Sequence, residues 1–326
     1  MNPILVGDIG GTKTRIALVE VVGTQVDIRH EVSYPSRNYA LLEILLAEFL
    51  SGAHVPVHAA FGIAGPVQGR VVRTTNLPWR IDADALQQRF GFLSCSLLND
   101  LEATAYGLPA LGETDLLTLQ TGTAQACGNT AVIAAGTGLG EAGLYWDGQQ
   151  HLPFATEGGH TSFSPGNELE IAFLRHLQQR HQHVSWERVV SGMGLVSLHE
   201  FLCMHRKIPV SDELAEEIHG GDAAAVIANA ALTQRDEICV ETMNCFVRLY
   251  GAEAGNVALK MMSRGGIYVG GGIAPKILPL LHTADFLEAF WNKGRMRPLL
   301  EAMPVKVILN DRAALYGPAL CVARLR

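Results

Sequence analysis

The sequence predicts an α/β fold, on three observations. Apolar runs of strand length open repeatedly into glycines, at residues 5–12, 130–140 and 264–272. Between these runs, apolar residues recur at helical spacing, as in Leu41, Leu42, Leu45, Leu46 and Phe49. The chain has 326 residues, 48% hydrophobic and 17% charged, which suits one large or two medium domains with a sizeable core.

Residues 5–19 read as a β-hairpin whose turn carries an acid, two adjacent glycines and a hydroxyl residue. Glycines in such a turn let main-chain N–H groups approach a bound anion, and Asp8 at the rim suits a magnesium ion held through water. On this stretch alone, a phosphate-binding hairpin and an ordinary hairpin with a glycine-rich tip both remain open. Alternation over residues 26–32 gives a third strand, and residues 39–50 an amphipathic helix. Residues 57–63 form a buried strand feeding the turn at Gly65-Pro66. An extended segment at 71–75 follows, and Asp82 caps a helix to about Phe90. This β-β-β-α-β order departs from the strict alternation of a doubly wound fold. Residues 95–100 read as a strand that presents Asn99 and Asp100 at its carboxyl end, where ligands of open α/β sheets sit. Asp100 as a simple cap of the following helix, 101–111, is the competing reading.

The second glycine loop, Gly136-Thr137-Gly138, follows a small-residue strand. Gly138, Gly140 and Gly143 match the dinucleotide fingerprint, but that fingerprint requires a helix to begin inside it. Here the residues read as a strand running to a hairpin turn at Asp147-Gly148, and no Walker-type phosphate loop is present. Residues 156–161 form a polar, glycine-hinged loop in which Glu157 and His160 suit hydrogen bonds to hydroxyls; an ordinary surface loop is the alternative. Residues 168–180 predict an amphipathic helix, with His176, His181 and His183 at a solvated end. Residues 185–195 predict a helix ended by a glycine turn. Residues 223–260 predict packed helices broken near Gly251, with Cys239 and Cys245 in the core. The third glycine element ends in Gly270-Gly271-Gly272. Residues 286–291 read as helix, 306–309 as a strand, and 313–325 as a final helix that Pro318 should bend.

A net charge of −7 argues against nucleic acid or an anionic membrane as the main partner. The first residues carry no signal-peptide pattern and no apolar run reaches bilayer length, so a cytoplasmic protein is expected. Six cysteines without C-x-x-C spacing predict free buried thiols.

Asp-x-Gly-Gly-Thr, Gly-Thr-Gly and Gly-Gly-Gly, in that order, resemble the phosphate and adenosine elements of the superfamily of sugar kinases, actin and Hsp70 ATPases. The resemblance to bacterial glucokinases is close and spans nearly the whole chain. It rests on residues 7–12, 62–67, 75–79, Leu98-Asn99-Asp100, residues 157–160, Glu187 with residues 191–195, and residues 270–275. It implies a two-domain actin-like ATPase (ribonuclease H-like) fold with ATP and sugar in an interdomain cleft. Residues 1–110 plus 301–326 would form the small domain, regaining the last strand and helix, and 111–300 the large one. It further implies transfer of the γ-phosphoryl group of ATP to the 6-hydroxyl of glucose, with Asp100 as general base. Asn99, Asp100, Glu157, His160 and Glu187 would bind the sugar. Gly7, Asp8, Ile9, Gly10, Gly11, Thr12, Gly136, Thr137, Gly138, Gly271 and Gly272 would hold the nucleotide, with Mg2+ near Asp8. Lys13 is assigned no role. Related kinases carry a cysteine-rich zinc motif after the histidine; Thr161-Ser162-Phe163-Ser164 stands there instead, so no structural zinc is expected. A homodimer is a family-level expectation. A kinase for another hexose or amino sugar, or a sugar-independent ATPase, are the alternatives.

Overall fold

Two mixed sheets share the same succession of five strands, and the second carries a sixth at its edge. The computed structural model describes residues 3–52, 55–74, 77–124 and 126–324. Thr75 and Asn76 of the motif at 75–79 lie outside the described residues. One unit contains the described residues up to Asp115, Leu152–Ala155 and those from Asn310 onward; the other spans Leu116–His151 and Thr156–Leu309.

In the first unit, β1 (Ile4–Ile9), β2 (Lys13–Val22) and β3 (Gln25–Pro35) form an antiparallel meander. Strands β4 (His58–Ile63) and β8 (Ser94–Asn99) add in parallel, giving the order β3-β2-β1-β4-β8. A small sheet of β5 (Val67–Gln68), β6 (Val71–Arg73) and β7 (Arg80–Asp82) lies between β4 and β8 in the chain. Helix α1 (Leu42–Phe49) precedes β4, α2 (Ala83–Phe90) precedes β8, and α3 (Asp100–Gly107) follows it. The alternation along β1 explains the layering, because successive side chains face opposite sides. Leu5 and Ile9 pack with Leu42, Leu45, Leu46 and Phe49, whereas Ile4 and Val6 pack with Leu315, Ala319 and Val322 of the C-terminal helix.

The second unit repeats the plan. Strands β10 (Thr130–Ala135) and β11 (Leu139–Trp146) are antiparallel, β12 (His151–Ala155) lies on the edge beyond β11, and β13 (Gly266–Gly270) and β14 (Val305–Ile308) run parallel to β10. Strand β9 (Leu116–Gln120) adds antiparallel to β14, giving β12-β11-β10-β13-β14-β9. Helices α4 (Glu168–Gln178), α5 (Gly192–Arg206), α6 (Asp212–Gly220), α7 (Ala223–Leu232) and α8 (Glu237–Met261) come between β12 and β13. Three short helices, α9 (Leu278–Leu281), α10 (Ala284–Trp291) and α11 (Arg297–Glu301), lead to β14, and α12 (Ala313–Arg324) ends the described chain. No helix among the described residues is long and apolar enough to cross a membrane.

Four sequence expectations are corrected. The last strand does not join the small domain: Val305 and Val307 are buried in the second core and β14 pairs with β13 and β9, so only α12 returns to the first unit. Helix α8 runs unbroken through Gly251, because a Cβ there would overlap the Phe286 carbonyl; the glycine admits α10 rather than ending α8. The glycines at 192 and 194 begin a helix instead of closing one. Ser191 caps α5 by accepting from Gly194 N at 3.1 Å, and a Cβ on Gly194 would overlap Val189 O. His176 is half-buried, its ring 5.6 Å from Phe201, and burial lowers its pKa.

Candidate active site

The first hairpin turns tightly between Asp8 and Thr14, with Gly10 N donating to Lys13 O at 3.0 Å. A Cβ on Gly10 would come within 2.9 Å of that carbonyl, so close backbone approach accounts for this glycine. Ser36 braces the turn: its hydroxyl donates to Gly10 O at 2.7 Å and its N–H to Thr12 O at 3.0 Å. The register sets Asp8 opposite Arg15. Arg15 donates to Asp8 Oδ2 at 2.9 Å and to Asp311 Oδ2 at 2.8 Å. Burial would lower the pKa of this guanidinium, but its carboxylate neighbours outweigh that and the net shift is upward. Sequence reasoning missed Arg15 and Ser36. A two-residue turn fixes the pairing of 8 with 15, and that was the available signal for Arg15; Ser36 left none.

The Leu98-Asn99-Asp100 segment ends β8 with a division of labour. Asn99, not Asp100, is the helix cap: Asn99 Oδ1 accepts from Leu101 N at 2.9 Å and from Glu102 N at 3.3 Å. Glu102 answers through the Asn99 N–H at 3.4 Å, completing a capping box, and Asn99 Nδ2 donates to Gly65 O at 3.4 Å. Asn99 is 8% exposed, and the two capping bonds occupy its amide oxygen. Asp100 stands at the first position of α3, with its Oδ1 accepting from Leu101 N at 2.9 Å.

In the second unit, the sugar-type and phosphate-type candidates touch. A strand follows Gly138, so the dinucleotide match fails where a helix was required. Gly136 N donates to Gly138 O at 2.8 Å, and Gly192 N at the start of α5 donates to Gly136 O at 2.8 Å. Glu187 Oε2 accepts from Leu139 N at 3.1 Å, and a Cβ on Gly138 would overlap that same oxygen. His160 lies between two carboxylates: its Nε2 is 3.8 Å from Glu157 Oε2 and its Nδ1 4.0 Å from Glu187 Oε1. Backbone bonds from Phe163 N to Val184 O and from Trp186 N to Thr161 O stitch the two loops together. Glu157 and His160 are exposed while Glu187 is more covered.

Two buried groups support these turns. Tyr250 accepts from Ala135 N at 3.1 Å and donates toward Ile133 O and Gly270 O, which pins the glycine-bearing ends of β10 and β13 together. Gly271 sits at φ +83, and a Cβ there would overlap the Ala135 carbonyl, so only glycine fits this turn. Beneath Gly158, Glu141 is buried beside Glu253. Burial first, and then the neighbouring carboxylate, push Glu141 up to about 8. Burial likewise raises Glu253, whose Oε1 lies 3.6 Å from Lys260 Nζ.

Two mixed sheets of matching strand order, each opening into glycine turns, define the two-domain actin-like ATPase fold. Residues 5–325 match the family model described as Glucokinase. The chain is 45% identical over 343 aligned residues, covering all of both chains, to the glucokinase of Trichormus variabilis. It is 37% identical to that of Caulobacter vibrioides, over 98% of this chain and 94% of the relative. The crystal structure of a glucokinase from an Antarctic psychrotroph superposes with a TM-score of 0.86 at 33% identity, over 99% of each chain. The chain belongs to the glucokinase family.

Proposed function

We propose that this chain transfers the γ-phosphoryl group of ATP to the 6-hydroxyl of glucose, giving glucose 6-phosphate and ADP. The observation that carries this reading is the contact between the two kinds of candidate: Glu187 faces His160 and also holds the backbone that follows Gly138. An ATPase indifferent to sugar has no use for that connection.

Asp100 accepts the proton from the 6-hydroxyl as it attacks, while Asn99 keeps the helix start in place. Glu157, His160 and Glu187 pair with ring hydroxyls, and Asn99 has donor capacity left on its amide nitrogen. A sugar lacking one of these hydroxyls leaves a polar group unpaired, at about 1–3 kcal/mol. The turn spanning Gly7, Asp8, Ile9, Gly10, Gly11 and Thr12, and the turn Gly136-Thr137-Gly138, hold the phosphates through backbone N–H groups other than those of Gly10 and Gly136, which bond within their own turns. Gly271 and Gly272 border the adenosine. Asp8 supplies a hard oxygen suited to magnesium, which when bound neutralises phosphate charge, and Arg15 fixes the carboxylate's orientation. No zinc role is assigned to the loop after His160. Family resemblance supports a cytoplasmic homodimer, which sedimentation tests.

A coupled assay scanning glucose, mannose, galactose and amino sugars against ATP and ADP tests the reading. Glucose with ATP should give the highest kcat/KM. Equal values across the epimers contradict the assigned specificity, and ATP hydrolysis unaffected by any sugar contradicts the kinase reading.

A further inference from the structure

Away from the residues discussed so far, four side chains of metal-ligating type meet inside the helical layer of the second unit. His199 and Cys203 lie one turn apart on α5, with Cys203 Sγ 3.8 Å from His199 Nε2. Asp236 caps α8 and Cys239 sits three residues further on. Ligand atoms of His199, Asp236 and Cys239 all lie within 4.8 Å of one another, and Cys203 joins the group through its contact with His199. We propose that His199, Cys203, Asp236 and Cys239 form a binding site for one zinc-class divalent cation that ties α5 to the start of α8.

The donor set argues for this chemistry. Two sulfurs, an imidazole and a carboxylate suit zinc and do not suit magnesium, so the site is distinct from any ion carried by a nucleotide. Tetrahedral zinc, with sulfur at about 2.3 Å and nitrogen or oxygen at about 2.0–2.2 Å, sets ligand atoms roughly 3.3–3.8 Å apart. The 3.8 Å separation of Cys203 Sγ from His199 Nε2 already meets this, His199, Asp236 and Cys239 stand within 4.8 Å, and metal binding would draw the four ligand atoms closer. His199 and Cys239 are buried, whereas Cys203 and Asp236 are half-exposed, so the cluster has an open side for entry. Asp236 is pre-oriented because its Oδ1 accepts from Cys239 N at 2.8 Å, an outer-shell bond of the kind that steadies a ligating carboxylate. The turn that delivers Asp236 adopts a left-handed backbone at Gln234, φ +54, which favours glycine and is held here by a bond from Arg235 N to Ala230 O. Each thiol releases its proton to solvent on becoming a thiolate ligand. The absence of C-x-x-C spacing hid the site in the sequence. Its ligands arrive as His-x-x-x-Cys on one helix and Asp-x-x-Cys at the start of another.

The test uses the full chain, reduced and stripped with a chelator, then titrated with Zn2+ alone or Co2+ alone. The expected result is one equivalent of zinc retained through gel filtration, and cobalt absorption bands of tetrahedral thiolate coordination. Cys239→Ser and Cys203→Ala should each weaken binding at least about 100-fold, since loss of an outer-shell partner alone costs 10–100-fold. Cys203 is the half-exposed member, so Cys203→Ala keeps the test readable if Cys239→Ser fails to fold; the metal-free circular dichroism should match the parent. Exposed Cys127→Ser should leave the bands unchanged. Absence of thiolate bands, undiminished zinc binding by Cys203→Ala, or bands lost in Cys127→Ser would overturn the proposal. A Cys203–Cys239 disulfide whose reduction brings no zinc uptake would do the same.

Discussion

Leu98-Asn99-Asp100 spans the end of β8 and Leu309-Asn310-Asp311 follows β14, so the same three residues stand at the exit of the last parallel strand of each sheet. The asparagines do the same work in both: Asn99 Oδ1 accepts from Leu101 N at 2.9 Å, and Asn310 Oδ1 from Arg312 N at 2.9 Å. Side-chain turns of this kind are what short amides supply at a strand-to-helix junction. The aspartates diverge. Asp311 holds Arg15 and is otherwise largely exposed, whereas Asp100 stands on the first turn of α3 with the capping duty taken by its neighbour. Local sequence therefore fixes the turn, and the surroundings fix what the acid is for. The glycine turns differ in a parallel way. The first is braced by Ser36 and flanked by Arg15, and the second is braced by Glu187, one of the candidate sugar residues.

The largest contrast should come from the acids. Asp100→Asn should lower kcat by about 10²–10⁴-fold with the fold intact, the range typical of a lost general base. The glycine turns give the next effect. Gly138→Ala displaces Glu187, so KM for glucose should rise roughly tenfold or more, equivalent to losing about 1–3 kcal/mol of hydrogen bonding. Gly10→Ala should instead raise KM for ATP and leave that for glucose near its parent value. If Gly138→Ala leaves KM for glucose at its parent value, Glu187 does not link the second turn to the sugar.

A third effect concerns stability. Glu141 is raised from its ordinary value of 4.5 to about 8, so the folded state binds more protons than the unfolded chain in that interval. Its contribution is fully present below about pH 4.5 and is lost as pH rises through about 8. Urea unfolding at pH 5 and pH 8 should show the parent losing stability across the interval and Glu141→Gln losing less. Identical slopes in both proteins would remove Glu141 as the cause. The smallest effect is expected from Asp311→Asn. Arg15 keeps Asp8 as a partner and Asp311 is largely exposed, so kcat should fall by less than about tenfold. A loss as large as that of Asp100→Asn would erase the distinction between the two copies.

Much of the first unit was legible because its elements declare themselves locally. The Asp82 cap, the alternation of β1 and the hairpin turn are set by neighbours in sequence. Glycines in the second unit misled for the opposite reason. At Gly251 the cause lies in the approach of the Phe286 carbonyl, a contact 35 residues away that periodicity does not register. The candidate site was readable as residue types in order, yet the connection from His160 through Glu187 to the Gly138 turn belongs to the fold. Buried Glu141, within a small-residue strand, gave no pattern at all.

The proposed role of Asp100 is tested most directly by separating binding from chemistry in one preparation of Asp100→Asn. Glucose affinity by calorimetry and the single-turnover rate of glucose 6-phosphate formation from ATP would be measured together. The account predicts glucose binding within a few-fold of the parent and a rate at least about 100-fold slower. A parent-like rate, or a rate lost only because glucose no longer binds, would contradict it.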